Sequence, residues 1–195
     1  EQQALKRYNL GHMGGWLQLS VGQESIPVTI RSVMGPSDHS LCGFRGLGYA
    51  LASGVSMNAL MAELYGKATG VSKGKGGATT VYSPENRFWG SYPIAAAQTP
   101  LGAGLAFALK YRDEKGAVFC SLGEGSVNQG VFHESLNLAG LFDLPVVYLI
   151  ENNHYGFWRS ERGNSAFKDH LARRAETYDI DWALADAGDI WSLRD

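Results

Sequence analysis

Apolar positions along this chain alternate between short unbroken runs and a spacing of three to four residues. Unbroken runs fall at residues 40–44, 117–122 and 146–150. Runs of that length, bounded by turn residues, read as buried strands. Helical spacing falls between them. Residues 1–10 read as an amphipathic helix, broken by Gly11 to Gly15, and a second helix is expected over 24–34. Pro36 and Asp38 mark a turn before the first strand. A helix starts at Gly48. Ser56 then caps another, with Met57, Leu60, Met61 and Leu64 as its apolar stripe. Residues 101–111 form a glycine- and alanine-rich helix, whose small side chains suit close packing on a sheet. Further on, 169–178 reads as a short helix, 181–185 as a strand and 188–190 as a helix start. Strands alternating with helices predict an α/β class, a doubly wound and mostly parallel sheet.

The stretch 117–155 carries the chemistry. After the run Ala117-Val118-Phe119-Cys120-Ser121-Leu122 comes a glycine-flanked acid, Gly123-Glu124-Gly125. A helix of about four turns follows, with Phe132, Leu136 and Ala139 on one face. Pro145 resets the chain, and Val146 to Ile150 lead to Glu151-Asn152-Asn153. In a strand-helix-strand unit the carboxyl ends of the two strands lie side by side, where open α/β sheets bind ligands. Glu124 and Asn153 are thereby expected close together. A carboxylate, an amide oxygen and a backbone carbonyl, with Tyr155 as the candidate, suit magnesium. That ion takes an octahedron of oxygens shared with substrate phosphates. Gly123 and Gly125 let the backbone approach a diphosphate. The N–H groups from Ser126 to Gln129 are expected to face the anion at a helix start.

Composition narrows the setting. A chain of 195 residues fits one domain with a sizeable core. Net charge −2 and 45% hydrophobic residues suggest neither disorder nor a nucleic-acid partner. The 25 glycines lie well above the average usage of about 7% and fit many tight turns. Cys42 and Cys120 lie in apolar runs and read as buried thiols, not as a disulfide or a metal site. No long apolar run or leader is visible, so no membrane is expected, and the location is read as cytoplasmic, or the mitochondrial matrix in a eukaryote.

Gly-acid-Gly followed by a helix and a strand ending in Asn-Asn resembles the thiamine-diphosphate motif. Asn128-Gln129-Gly130, Phe132-His133-Glu134, Leu136-Asn137-Leu138-Ala139 and Glu151-Asn152-Asn153 resemble the alpha subunit of the 2-oxo acid and acetoin dehydrogenases. The resemblance covers nearly the whole chain. It implies one diphosphate-binding domain over 1–195, incomplete at both ends, holding thiamine diphosphate and Mg²⁺. It places Gln18 beside the diphosphate, where the family commonly has His. It makes Phe44-Arg45 the counterpart of a diphosphate-binding Tyr-Arg pair; Arg45 keeps the phosphate-matching fork and Phe44 lacks the hydroxyl. Leu47 falls where His is frequent. Lys73 to Gly77 match a structural loop near the subunit interface, followed here by Ala78-Thr79-Thr80 instead of Ser-Met-His. Residues 93–98 match a Gly-Ile-Val-Gly-Ala-Gln run that holds the aminopyrimidine ring, with the Pro93 carbonyl and the Ala95 N–H as its contacts. Cofactor binding is thus expected at Gln18, Phe44, Arg45, Pro93, Ala95, Gly123, Glu124, Gly125, Ser126, Asn153 and Tyr155. The metal is expected at Glu124, Asn153 and Tyr155. Glu124 stands where the family usually has Asp.

The family's catalytic loop, carrying Arg and His, follows the matched region, so no catalytic residue is assigned. The glutamate that activates the cofactor comes from a beta subunit in that family. A partner is therefore expected, as an alpha2beta2 assembly, with Trp89, Tyr92, Phe157 and Trp158 as exposed docking aromatics. The implied reaction is decarboxylation of a 2-oxo acid, or acetoin cleavage, with acyl transfer to a lipoyl group on an acyltransferase component. The departures at Gln18, Phe44, Leu47, residues 78–80 and Glu124 also fit a non-catalytic paralogue that keeps fold and interface. A nicotinamide-binding fingerprint is disfavoured by the glycine spacing after Gly123.

Overall fold

The computed structural model describes residues 1–156, 159–160, 165–166 and 170–195. In chain order the described elements are α1 (Gln2–Asn9), α2 (Ser25–Val33), β1 (His39–Cys42), α3 (Gly46–Ala52) and α4 (Met57–Leu64). Then come a 3₁₀ turn (Pro84–Asn86), β2 (Phe88–Ser91), α5 (Gln98–Tyr111) and β3 (Val118–Gly123). A second 3₁₀ turn (Glu124–Asn128) precedes α6 (Gly130–Leu141), β4 (Val146–Glu151), β5 (Tyr155–Gly156) and β6 (Arg159–Ser160). A 3₁₀ helix (Leu171–Tyr178) and α7 (Ile190–Arg194) follow. The class is α/β, and the pairings of β1 with β2 and of β3 with β4 are parallel.

The chain forms two compact units. The first comprises Glu1–Met34, Ser40–Pro93 and Asp186–Asp195. Here α2 buries Ile26, Pro27, Thr29 and Ile30 on one face. Pro27 is tolerated because it lies in the first helical turn, where its missing N–H has no intrahelical partner to lose. The carboxylate of Glu1 accepts the Ser20 N–H at 2.9 and 3.0 Å, which ties the start of α1 to the loop before α2. All four residues of β1 are buried. Its register on β2 runs Ser40↔Phe88 and Cys42↔Ser91, with a shift between. A Cβ on Gly46 would sit 2.3 Å from the Ser91 Cβ, so only glycine lets α3 begin against β2. Ser56 caps α4 as expected, its Oγ accepting the Ala59 N–H at 3.2 Å.

The second unit comprises Gly35–His39 and Ile94–Ala185. Its strands β3 and β4 pair over six positions, from Val118↔Val146 to Gly123↔Glu151. Ala96, Leu122, Val127, Phe132, Leu136 and Leu171 form the core, with Tyr148 and Ile150 against it. α5 buries Gly102, Ala103 and Ala106, small residues that let it lie close to β3 and α6. Buried polar groups tie these elements together. Gln98 Nε2 donates to the Ser121 carbonyl at 2.7 Å, and Tyr148 OH to the Thr99 carbonyl at 3.1 Å. Burial pushes the Tyr148 hydroxyl and the Cys120 thiol well above their usual pKa values. Both cysteines are free and buried. No helix among the described residues is long and apolar enough to cross a membrane.

Several expectations need correcting. The first strand stops at Cys42 and not at Phe44, because its partner β2 ends at Ser91. β2 itself was not anticipated. In α4 the stripe is not wholly apolar packing: Met57 is 73% exposed, whereas Glu63 is fully buried. β4 is half-buried throughout, with Val147 exposed, so it is not the sealed strand its sequence suggests. The helix after β3 starts four residues late, at Gly130, behind a 3₁₀ turn. Residues 181–185 form no strand, and Ala183, Leu184 and Ala185 are exposed. Trp182 is held there by a side-chain bond, its Nε1 donating to Glu176 at 2.9 Å. The helix expected over 169–178 is 3₁₀ over Leu171–Tyr178, and Asp169 lies outside the described residues.

Candidate functional site

The best-defined part of the site lies in the second unit. The register Gly123↔Glu151 puts the carboxyl ends of β3 and β4 side by side, as the strand-helix-strand reading requires. Glu124 follows one residue past that pair and Asn153 two residues past it. Glu124 is buried, 6% exposed, and Ser126 is buried beside it. Gly125 and Asn153 are half-buried. The backbone of Tyr155 lies in β5, which packs against the Glu124–Asn128 turn. A Cβ built on Gly123 meets nothing within 4 Å, so open space faces the backbone at the strand end. Glu151 accepts a hydrogen bond from Ser121 Oγ on the neighbouring strand, which fixes the base of the turn.

The chain reverses after β4 through an Asx turn. The His154 N–H donates to Asn152 Oδ1 at 2.8 Å, and His154 takes a positive φ of 66°. This turn carries Asn153 and Tyr155 around the end of β4. β5 packs against the Glu124–Asn128 turn, and Asn153 lies in the segment that joins β4 to β5. One carboxylate, one amide and one carbonyl suit an ion that keeps positions for phosphate and water. Among the described residues no group of three His, Cys, Asp or Glu is placed to hold a metal ion.

The anion-facing N–H groups expected at Ser126 to Gln129 are placed differently. These residues lie in the 3₁₀ turn and its exit, and the Gln129 N–H is already given to the Ser126 carbonyl at 3.0 Å. The helix proper begins one residue later. Sequence reasoning also missed Arg174. Its Nη1 donates to the Val127 carbonyl at 2.7 Å, and its Nη2 to Asn128 Oδ1 at 3.0 Å and Ser165 Oγ at 2.6 Å. Partial burial lowers the Arg174 pKa from its usual value, but a guanidinium stays charged.

The turn at Ile94–Gln98 belongs to the same unit. Its bonds run from the Ala97 N–H to the Ile94 carbonyl at 3.1 Å and from the Thr99 N–H to the Ala96 carbonyl at 2.9 Å. Ala96 is fully buried and has φ 62°, a left-handed conformation unusual for a residue with a Cβ. Ala95 is half-buried.

The first unit holds Gln18, Phe44, Arg45 and Pro93. Gln18, Phe44 and Arg45 are half-buried and Pro93 is exposed. Arg45 Nη1 donates to the Leu19 carbonyl, and the guanidinium lies 5.8 Å from the Phe44 ring centroid. Arg45 and the Gln18-Leu19 segment are therefore in contact. Leu47 is 1% exposed, so it serves the core. Trp89 and Tyr92 are half-buried, not exposed. The Tyr92 OH donates to the Trp89 carbonyl at 3.0 Å and the Tyr92 ring packs edge-on to Tyr82. Phe157 and Trp158 lie outside the described residues.

A second missed residue lies in this unit. Glu63, fully buried, accepts four backbone N–H groups from the glycine-rich loop. Oε2 takes those of Ser72 and Gly74 at 2.8 Å each. Oε1 takes those of Gly76 and Gly77 at 2.7 and 3.1 Å. The only sequence signal was an acid on the inner side of an otherwise apolar helix.

The family model described as "Dehydrogenase E1 component" matches residues 1–194. The pyruvate dehydrogenase E1 component subunit alpha of Zymomonas mobilis is 39% identical over 196 residues, covering 100% of this chain and 55% of that protein. The Rhizobium meliloti protein of the same description is 38% identical over 194 residues, 100% of this chain and 56% of its own length. The mitochondrial one of Saccharomyces cerevisiae is 42% identical over 166 residues, 85% and 39%. The chain spans about half the length of the curated relatives it matches.

Proposed function

Because the chain belongs to the dehydrogenase E1 component family, we propose that it is the alpha-type half of a thiamine-diphosphate enzyme. The observation that carries this reading is the Gly123↔Glu151 register, which sets Glu124 and Asn153 past adjacent strand ends. Glu124, the Asn153 amide and the Tyr155 carbonyl hold Mg²⁺, and Gly123, Gly125 and Ser126 form the backbone around the diphosphate. From the resemblance alone, Gln18, Phe44 and Arg45 are assigned further phosphate contacts. The Pro93 carbonyl and the Ala95 N–H orient the pyrimidine. Thiamine diphosphate supplies an electron sink for loss of carbon dioxide from a 2-oxo acid.

The substrate is a 2-oxo acid of the pyruvate or branched-chain type, or acetoin. The acyl group goes to a lipoyl group on an acyltransferase component. A beta subunit supplies the activating carboxylic acid, giving an alpha2beta2 assembly, in the cytoplasm or the mitochondrial matrix according to the organism. The relatives' description as pyruvate dehydrogenase subunits supports pyruvate first.

One set of observations favours a second reading, a non-catalytic paralogue. Leu47 is sealed in the core and Arg45 spends a donor on the Leu19 carbonyl. Titration of the chain, coexpressed with a beta subunit, with thiamine diphosphate and Mg²⁺ separates the two. Saturable, metal-dependent binding with turnover of a 2-oxo acid is expected. A stable complex that binds no cofactor supports the paralogue instead.

A further inference from the structure

The geometry points to Arg174 as the residue that positions the Glu124 turn, an inference that rests on reading that turn as the metal and diphosphate site. The turn is not a simple helix start. At Gln129 the backbone is extended, with φ −76° and ψ 136°, which separates the 3₁₀ turn from α6. In a continuous helix the Val127 carbonyl would accept the N–H of Val131. The break takes that donor away, and Val127 is fully buried, so water is a poor substitute. Arg174 Nη1 fills the place at 2.7 Å. Its Nη2 also bonds the Asn128 side chain at 3.0 Å, so one planar fork grips two successive residues of the turn. The same nitrogen holds Ser165 Oγ at 2.6 Å.

A guanidinium suits this task because its donors are fixed relative to one another. It sets the angle of the turn as well as satisfying it. Glu124 and Gly125 lie within the turn, so its angle sets where the carboxylate and the neighbouring backbone meet the ion. Magnesium tolerates little distortion of its octahedron. Arg174 thus acts through the turn and is a positioning residue. Its neighbour Arg173 serves as the control: it is half exposed and pairs with Glu176 at 3.2 Å.

The test uses the chain in complex with its beta partner. Hydrogen exchange of residues 124–132 and the half-saturating Mg²⁺ concentration, with thiamine diphosphate present, are measured for wild type, Arg174→Ala, Arg174→Lys and Arg173→Ala. Arg174→Ala is expected to speed exchange in that segment and to raise half-saturating Mg²⁺ about tenfold, the effect of leaving a buried carbonyl unpaired. Arg174→Lys is expected between the two, Arg173→Ala at wild type, and added guanidinium to restore Arg174→Ala in both readouts. Unchanged exchange in Arg174→Ala overturns the inference whether or not cofactor binds. Faster exchange with unchanged metal response overturns it too, because the turn's order then has no bearing on the ion. If the wild type binds no cofactor, the reading of the site fails separately, and exchange with guanidinium rescue alone decides the role of Arg174.

Discussion

Glu63 and Glu124 are both buried carboxylates, at 0% and 6% exposure, and they sit in different company. Glu63 is enclosed by its own chain. Four N–H groups point at its two oxygens, and the loop that supplies them uses glycine where the backbone is most constrained. A Cβ on Gly76 would lie 1.8 Å from the Thr80 carbonyl oxygen, and Gly74 and Gly77 have positive φ. Lys73, at φ 58°, is the exception. Glu124 lies in the 3₁₀ turn past the end of β3, with open space beside Gly123. The turns that border the candidate site also carry non-glycine residues at positive φ, Ala96 and His154. A carboxylate matched by its own loop reads as architecture. A carboxylate at adjacent strand ends, bordered by strained turns, is the one proposed above as the ligand of the cation.

The hardest way to break that comparison is to remove the enclosed acid. Glu63→Ala leaves four inward-pointing N–H groups without their acceptor. Each buried unpaired group costs about 1–3 kcal/mol, less where water enters, so a loss of ~3–5 kcal/mol is expected in urea unfolding. Lys73 and Lys75 are exposed, yet their loop is held from beneath. Trypsin is therefore expected to cleave after them in the variant and to spare them in the wild type. Gly76→Ala should open the same site while Glu63 stays in place. If Glu63→Ala keeps wild-type stability and trypsin resistance, the loop is not held by this carboxylate.

Glu124 should respond in the opposite way, with a small change in stability and a large one in binding. Glu124→Ala is expected to abolish Mg²⁺-dependent binding of thiamine diphosphate. Glu124→Asp sharpens the point. The glutamate carboxylate starts about 1.5 Å further from the backbone than that of aspartate. Magnesium needs its oxygens at about 2.0–2.1 Å in a near-ideal octahedron. The 3₁₀ turn must therefore recede or the side chain must fold into a less favourable rotamer, which costs of order 0.5–1.5 kcal/mol. Titration of both proteins, partner present, should show the aspartate variant binding up to about tenfold more tightly. Tighter binding by the wild type would mean that the turn has been rebuilt around glutamate.

What could be read from the chain follows from how local the signal was. β3 and β4 were legible because an apolar run between turns has one good solution, and their ends fixed Glu124 and Asn153. Gln18, Phe44, Arg45, Pro93 and Ala95 came from resemblance alone. β2 was not legible: four residues with a glycine among them, Phe-Trp-Gly-Ser, give no period to count. The strand expected at 181–185 failed for the converse reason, since apolar residues without a neighbouring strand do not make one. Glu63 and Arg174 were invisible because each acts on backbone groups distant in sequence. An acid on a helix and an arginine beside another arginine both look like solvated surface. The late start of α6 hid because nothing in Gly-Ser-Val-Asn-Gln-Gly forbids a helix; the break is held by a contact from Arg174.

The smallest expected effect lies at Ala96, and it probes the strained side of the comparison. In the six-residue run of the resembling family, the fourth position is glycine and falls on Ala96. Its φ of 62° costs an L-residue with a Cβ about 1–2 kcal/mol, a cost that glycine escapes. Glycine gives back part of the gain, because its unfolded chain has more freedom, by about 0.4–1 kcal/mol. Removing a buried methyl group at a fully buried position also loses about 0.8 kcal/mol of transfer energy. The three effects nearly cancel, so Ala96→Gly should change stability by less than about 1 kcal/mol in either direction. The informative readout is then binding. The turn holds the Ala95 N–H, and relaxing it should shift the half-saturating concentration of thiamine diphosphate while leaving that of Mg²⁺ alone, since Glu124 and Asn153 are untouched. A gain of 2 kcal/mol or more in urea unfolding would show that the strain is larger than one left-handed alanine accounts for. A shift in the Mg²⁺ response would show that the two ends of the site are coupled through the segment between Ala96 and Glu124.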